Sequence, residues 1–219
     1  MRFRVIAGTV LVFAVAMAYL EAAVVVYLQR ALGSEVGVIF PLRPESETGG
    51  LIAIEVGREA ATLVIIAAVG LLVGRTRPER LAWSAVVFGA WDIGYYAWLR
   101  VFSGWPPSLG TPDLLFLIPV PWVGPVWSPV AVSTALVAVG LAAAWRLRSD
   151  RRLALGPGHW VAGLGGGLLV VLSYTLDAGR VLDGGLPGPY PVPVFAAGML
   201  AALVAAGHAL ARPAGDSTS

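Results

Sequence analysis

The 219-residue chain contains no cysteine and no lysine, only two histidines, and little charge of either sign. Without cysteine there is no disulfide, no thiolate metal site and no cysteine nucleophile. Without lysine there is no Schiff-base chemistry. All 15 basic side chains are arginine, which reads as a compositional bias of the source genome. His159 and His208 alone argue against a haem or a histidine-rich metal centre. Charged residues make up 13% of the chain, against about 25% in ordinary soluble domains. The formal charge of +2 comes from arginines beside apolar runs, so no nucleic-acid partner is expected. No phosphate loop, zinc-protease helix or dinucleotide fingerprint is present. Ser133 and Thr134 have no acid or base at a fixed spacing, so a serine nucleophile is unsupported.

What the chain has in abundance is apolar sequence. Hydrophobic residues reach 58%, and the mean hydropathy is +0.79. A soluble fold could not bury that much apolar surface, whereas lipid as solvent accounts for it. A transmembrane helix needs about 20 mostly apolar residues. Six stretches qualify: 5–28, 51–73, 81–102, 126–145, 160–176 and 192–211. The expectation is an all-α polytopic bundle of about six spans, one domain over 1–212, with a disordered tail over 213–219. Arg2, Arg4 and Ala16-Met17-Ala18 resemble a signal peptide, but the apolar run continues to Leu28, too long for a signal core. A retained first helix is expected.

Arginine placement sets the expected orientation. Ten arginines fall on the side of the N-terminus: Arg2, Arg4, Arg75, Arg77, Arg80, Arg146, Arg148, Arg151, Arg152 and Arg212. Four fall on the other: Arg30, Arg43, Arg100 and Arg180. Both termini are therefore expected in the cytoplasm of a cell-membrane protein. Trp83, Trp145 and Trp160 would mark the inner interface; Trp98, Trp105, Trp122 and Trp127 would mark the outer one. Residues 29–50 and 179–191 read as outer loops. Between the third and fourth spans, Thr111-Pro112-Asp113 reads as a helix start and Pro119 as its end. A short half-helix over 112–118 is expected there, either in the outer interface or re-entrant and packed on protein.

Charged residues inside spans are costly and usually face a bundle interior or a wet cavity. Here they are Glu21, Glu55, Arg58, Glu59 and Asp92. At about 1.5 Å per residue, the acids on three helices lie about 8–14 Å below the outer surface. Glu55, Arg58, Glu59 and Thr62 share one helix face, as do Asp92, Tyr95 and Tyr96. If all four acids are ionised, Arg58 leaves three negative charges unbalanced, and Arg100 at the rim could offset one more. Either some acids carry protons or a cation or cationic solute sits among them. The expected binding residues are Glu21, Glu55, Arg58, Glu59, Asp92, Tyr95, Tyr96, Arg100 and Asp113; no metal or cofactor is specified. Small-solute or cation/proton transport is the first reading. A membrane-embedded enzyme acting on a lipid or lipid-soluble substrate, and an accessory subunit of a membrane complex, are the alternatives. Expected partners are the bilayer, a cation or small solute, and a second copy or another membrane protein. His159 and His208 both fall near the inner ends of the last two helices, where they could be neighbours but read as incidental. Gly163 and Gly167 read as a small-xxx-small packing pair, and Asp177 with Arg180 as a local ion pair that could extend the acidic layer.

Trp91-Asp92-Ile93-Gly94-Tyr95-Tyr96, Gly104-Trp105-Pro106 and the run from Leu115 to Val126, rich in proline and tryptophan, form a distinctive pattern. It covers about a sixth of the chain and resembles a pattern in bacterial multi-span membrane proteins to which no activity is attached. The resemblance implies a family with a feature on the outer face and adds nothing to mechanism.

Overall fold

The computed structural model describes residues 2–31, 33, 37, 39–40, 50–149, 153 and 155–211. Most of the expected loop over 29–50 with Arg43, the cluster of Arg151 and Arg152, Arg212 and the tail over 213–219 lie outside the described residues. The elements in order are α1 (Phe3–Ala31), α2 (Leu51–Val73), α3 (Arg77–Ser103), β1 (Pro112–Phe116), β2 (Trp122–Pro125), α4 (Trp127–Arg148), α5 (Pro157–Thr175), α6 (Ala178–Leu182) and α7 (Val192–Ala211). Five segments are long and apolar enough to cross a membrane: α1, α2, α4, Pro157–Leu182 and α7. The multi-pass membrane character follows from them. Their outer faces remain apolar and open, as at Leu72, Val12 and Val161. Lipid satisfies such faces, whereas water would penalise them.

The sixth long helix, α3, differs in kind. Its 27 residues include Glu79, Asp92, Tyr95, Tyr96 and Arg100, and twelve of them are buried, more than in any other helix. It packs against α1, α2 and α4 and forms the axis of the bundle. Thr76 starts it by accepting the Glu79 N–H at 3.4 Å, with Pro78 in the first turn. Gly104 ends it with φ of 76°, a left-handed conformation that costs glycine little. Phe3, Val10 and Ala14 of α1 pack with Trp83 near the start of α3, Val73 at the end of α2 and Ala144 near the end of α4. Successive long helices of this group therefore alternate in direction.

The α5–α7 pair packs closely on itself and touches the rest chiefly through α4 and β2. Its crossing is made by Gly166 and Gly198. A Cβ on Gly166 would lie 2.6 Å from the Gly198 carbonyl oxygen, and the reverse contact is also 2.6 Å. This corrects the expected packing pair: nothing approaches within 4 Å of a Cβ on Gly163 or Gly167. The expected tryptophan belts also need correcting. Trp83 is fully buried and Trp105 nearly so, while Trp145 and Trp160 are about half exposed.

The largest correction concerns residues 112–118. They form no half-helix; Pro112–Phe116 pairs antiparallel with Trp122–Pro125. Asp113 lies opposite Gly124, Leu114 opposite Val123 and Phe116 opposite Trp122, with an irregularity between Leu114 and Phe116. The physical reason is proline spacing. Pro119, Pro121 and Pro125 cannot donate to a helical ladder, whereas a two-stranded ribbon leaves them at its turn and end. Phe116 at the tip stacks on Phe88 with ring centroids 6.3 Å apart. Phe88 lies fifteen residues before the end of α3, about 22 Å along its axis. The hairpin thus reaches toward the middle of the bundle. A two-stranded hairpin is marginal alone; this one is walled by α2, α3, α4 and α5.

Candidate functional site

The hairpin closes one end of the bundle over the acidic residues. On α1 and α2, Arg58 forms ion pairs with Glu21 and Glu55, the latter at 2.7 Å. The Arg58 Nε–H also donates to Glu55 at 2.8 Å. Thr62, one turn along, donates its hydroxyl to Glu21 at 3.5 Å. Glu59 points to the hairpin, where its carboxylate accepts the Leu117 N–H at 2.9 and 3.1 Å. That N–H sits just past β1 and has no strand partner, so the carboxylate satisfies a backbone donor that lipid would strand. On α3, Asp92 accepts the Ser133 hydroxyl of α4 at 2.8 Å. Tyr96 donates its hydroxyl at 2.7 Å to Asp113 of the hairpin, which also accepts the Leu114 N–H at 2.8 Å.

Glu21, Arg58, Glu59, Thr62, Asp92, Tyr95, Tyr96 and Asp113 surround one cavity of about 50 Å³, together with Trp91. A water needs about 10–15 Å³ by this measure, so the space suits a few waters and excludes an organic solute. The Trp91 indole N–H is buried without a protein acceptor, and a water in the cavity is the natural partner. One guanidinium serves five carboxylates (Glu55 sits just outside the cavity and shares Arg58). Glu21 and Glu55 share it, so its single positive charge offsets only one of the two. Glu59, Asp92 and Asp113 have dipolar donors only. Among the described residues no three acidic or histidine side chains converge to hold a metal ion.

No family model matches the chain, and no curated protein or solved structure does either.

Arg100 stands apart from the acids that sequence reasoning placed it with. Its guanidinium donates to the carbonyls of Gly104 and Pro106, the latter at 3.0 Å, and secures the turn after α3. Asp177 and Arg180 do pair, at 3.2 Å, but Asp177 also accepts the Gly188 N–H and belongs to the loop before α7 rather than to the cavity. The histidines meet: His159 Nε2 and His208 Nδ1 are 2.6 Å apart. His159 Nδ1 accepts the Gly156 N–H at 3.0 Å, so a neutral His159 carries its proton on Nε2 and donates to His208.

Two residues escaped sequence reasoning. Ser133 has a partner after all in Asp92, 41 positions away, and no local spacing could have revealed it. Glu79 is 1% exposed at the opposite end of the bundle. It accepts from the Arg75 backbone at 3.0 Å, the Arg75 side chain at 3.3 Å, the Trp83 indole at 3.3 Å and the Arg148 guanidinium. Arg148 in turn donates to the Val73 carbonyl at 2.9 Å. The ends of α2, α3 and α4 are thereby tied at one point. The Glu79–Trp83 spacing of four residues was the available signal, and it fell outside the expected span.

Proposed function

We propose that this protein crosses the membrane six times and uses the hairpin-capped acidic cavity to take up and release protons, in the service of proton-linked transport of a small solute. The observation that carries the reading is the charge imbalance around a water-sized space. Taking an isolated carboxylate out of water is prohibitive unless it is neutralised or paired. Asp92 has only the Ser133 hydroxyl, and Asp113 has one hydroxyl and one amide. Protons neutralise such groups without the converging geometry that a metal needs. The cavity volume supports protons and water over a solute at this point. Arginine bias supports an orientation with the cavity near the extracytoplasmic face and both termini inside.

Infrared difference spectra of the protein in lipid, taken between acidic and alkaline pH, test the proton. A protonated-carboxyl band that titrates in the wild type and loses intensity in Asp92→Asn is the expected result. Absence of any protonated-carboxyl band in the wild type over that range would overturn it. In proteoliposomes with a pH-sensitive dye inside, an imposed pH gradient should collapse at least tenfold faster with wild type than with Asp92→Asn. Equal rates would remove transport from the reading.

A further inference from the structure

A second cavity, of about 580 Å³, lies in the seam between α3 and α4 on one side and α5 and α7 on the other, with the hairpin as its roof. We infer that it binds a lipid-soluble molecule with an apolar body ending in a carbonyl or comparable oxygen acceptor, held by Trp122 and Tyr174.

The volume falls within the range of about 300–1,000 Å³ typical of small-molecule sites. The walls are almost wholly apolar, as with Phe88, Leu136, Val139 and Met199. Gly163 and Gly167 of α5 line it, and a Cβ at either would meet nothing within 4 Å. These glycines therefore serve no helix crossing; they leave room. Against that apolar background stand two buried donors without partners, the Trp122 indole N–H and the Tyr174 hydroxyl. Tyr174 is 4% exposed, and its hydroxyl lies near Ser128 and Tyr190 without completing a hydrogen bond of ordinary geometry to either. Both residues line the cavity, and their rings stack with centroids 6.1 Å apart. A buried donor left without an acceptor carries the full cost of its lost hydration. Natural structures rarely leave such groups unsatisfied without a reason.

The chemistry selects the occupant. Two unpartnered donors on residues that line one cavity ask for an acceptor, and a carbonyl oxygen has two lone pairs. The rest of the space asks for hydrocarbon. Entry is from the side. Gly167 and Leu203 line the cavity and remain exposed, and both stand ten or eleven residues into membrane-length helices, at the depth of the acyl chains. A lipid-borne ligand reaches that opening directly, and a water-borne one does not. The site is distinct from the acidic cavity and does not depend on the proton reading. Asp92 lies on the wall of both.

The shared chemistry could come from an acyl ester or from a free quinone, and two probes separate them. Delipidated protein in mild detergent would be titrated with a dioleoyl phosphatidylglycerol or with decylubiquinone, followed by native mass spectrometry. One molecule of one probe per chain is expected for the wild type, and which probe it is names the source. Trp122→Phe combined with Tyr174→Phe keeps the rings and removes the donors; affinity should fall at least tenfold. Gly167→Leu projects into open space, so the fold survives, and it should abolish binding. Failure of both probes to give a saturable one-to-one complex would overturn the inference. So would a Gly167→Leu variant that binds as well as the wild type.

Discussion

At the scale of single residues, the two ends of the bundle treat buried acid in opposite ways. At the hairpin end the carboxylates outnumber their cation. At the other end Glu79 is over-supplied with donors. Burial alone would raise the Glu79 carboxyl above its ordinary value of 4.5, but the Arg75 N–H, the Arg148 guanidinium, the Trp83 indole and the Arg75 side chain hold it below that value. A depressed folded-state value contributes stability that is present above about pH 4.5 and lost as the pH falls through the folded value. Removing one partner of a buried ion pair leaves the other uncompensated and costs about 3–5 kcal/mol. Glu79→Ala is therefore expected to lower the unfolding free energy by about 3 kcal/mol at neutral pH, measured by denaturant titration in detergent. Its stability should also vary less than the wild type's as the pH is lowered below 4.5. A variant as stable as the wild type would mean that Arg148 and the Val73 carbonyl hold the three helix ends together unaided.

At the scale of elements, the long helices were legible and the hairpin was not, for reasons that lie in particular residues. The runs 51–73 and 192–211 have no competitor as spans, and their helices begin and end where the sequence predicts. Thr111-Pro112-Asp113 satisfies the rules for a helix start, but the same three residues begin a strand equally well. The apolar run from Leu114 to Ile118 does not alternate, because the hairpin is enclosed by protein on more than one side, and a strand without alternation cannot be told from a buried helix. The glycines of α5 show the same limit. Gly163 and Gly167 have the right spacing for packing, yet the contact belongs to Gly166, because only the partner helix decides which face is used. Gly166→Val should therefore force α5 from α7, since the obstructing atoms are the backbone oxygen of Gly198 and nitrogen of Ala202. Overpacking of this kind costs about 1–3 kcal/mol. Gly163→Ala, which meets nothing, should stabilise by up to about 1 kcal/mol through helix propensity. Thermal unfolding of the two variants side by side checks both signs, and a Gly163→Ala variant less stable than Gly166→Val would reverse the assignment.

At the scale of the whole molecule, hydropathy counts five membrane-length helices and the architecture argues for a sixth. α3 fails an apolarity test because it is the axis: its neighbours are helices and a hairpin, so it can carry Asp92, Tyr96 and Arg100 where a lipid-facing helix could not. On the proposed six-crossing reading, the alternation of α1 to α4 has α3 cross between α2 and α4. Arg2, Arg75, Arg77, Arg146 and Arg148 all lie at the end of the bundle away from the hairpin, so the bias counted along the sequence is also a bias in space. The helical rise set Glu21, Glu59 and Asp92 at one level along three helices, and the three line one cavity. The chain has no native cysteine, so a single introduced thiol reports without background. Leu109, exposed beside the hairpin, and Arg77, exposed at the arginine end, are the two positions to use. In intact cells a membrane-impermeant maleimide should label Leu109→Cys, and should label Arg77→Cys only after the membrane is permeabilised. Labelling of both from the same side would mean that α3 does not cross. The opposite sidedness would keep six crossings and turn the acidic cavity toward the cytoplasm, which would reverse the direction from which its protons come.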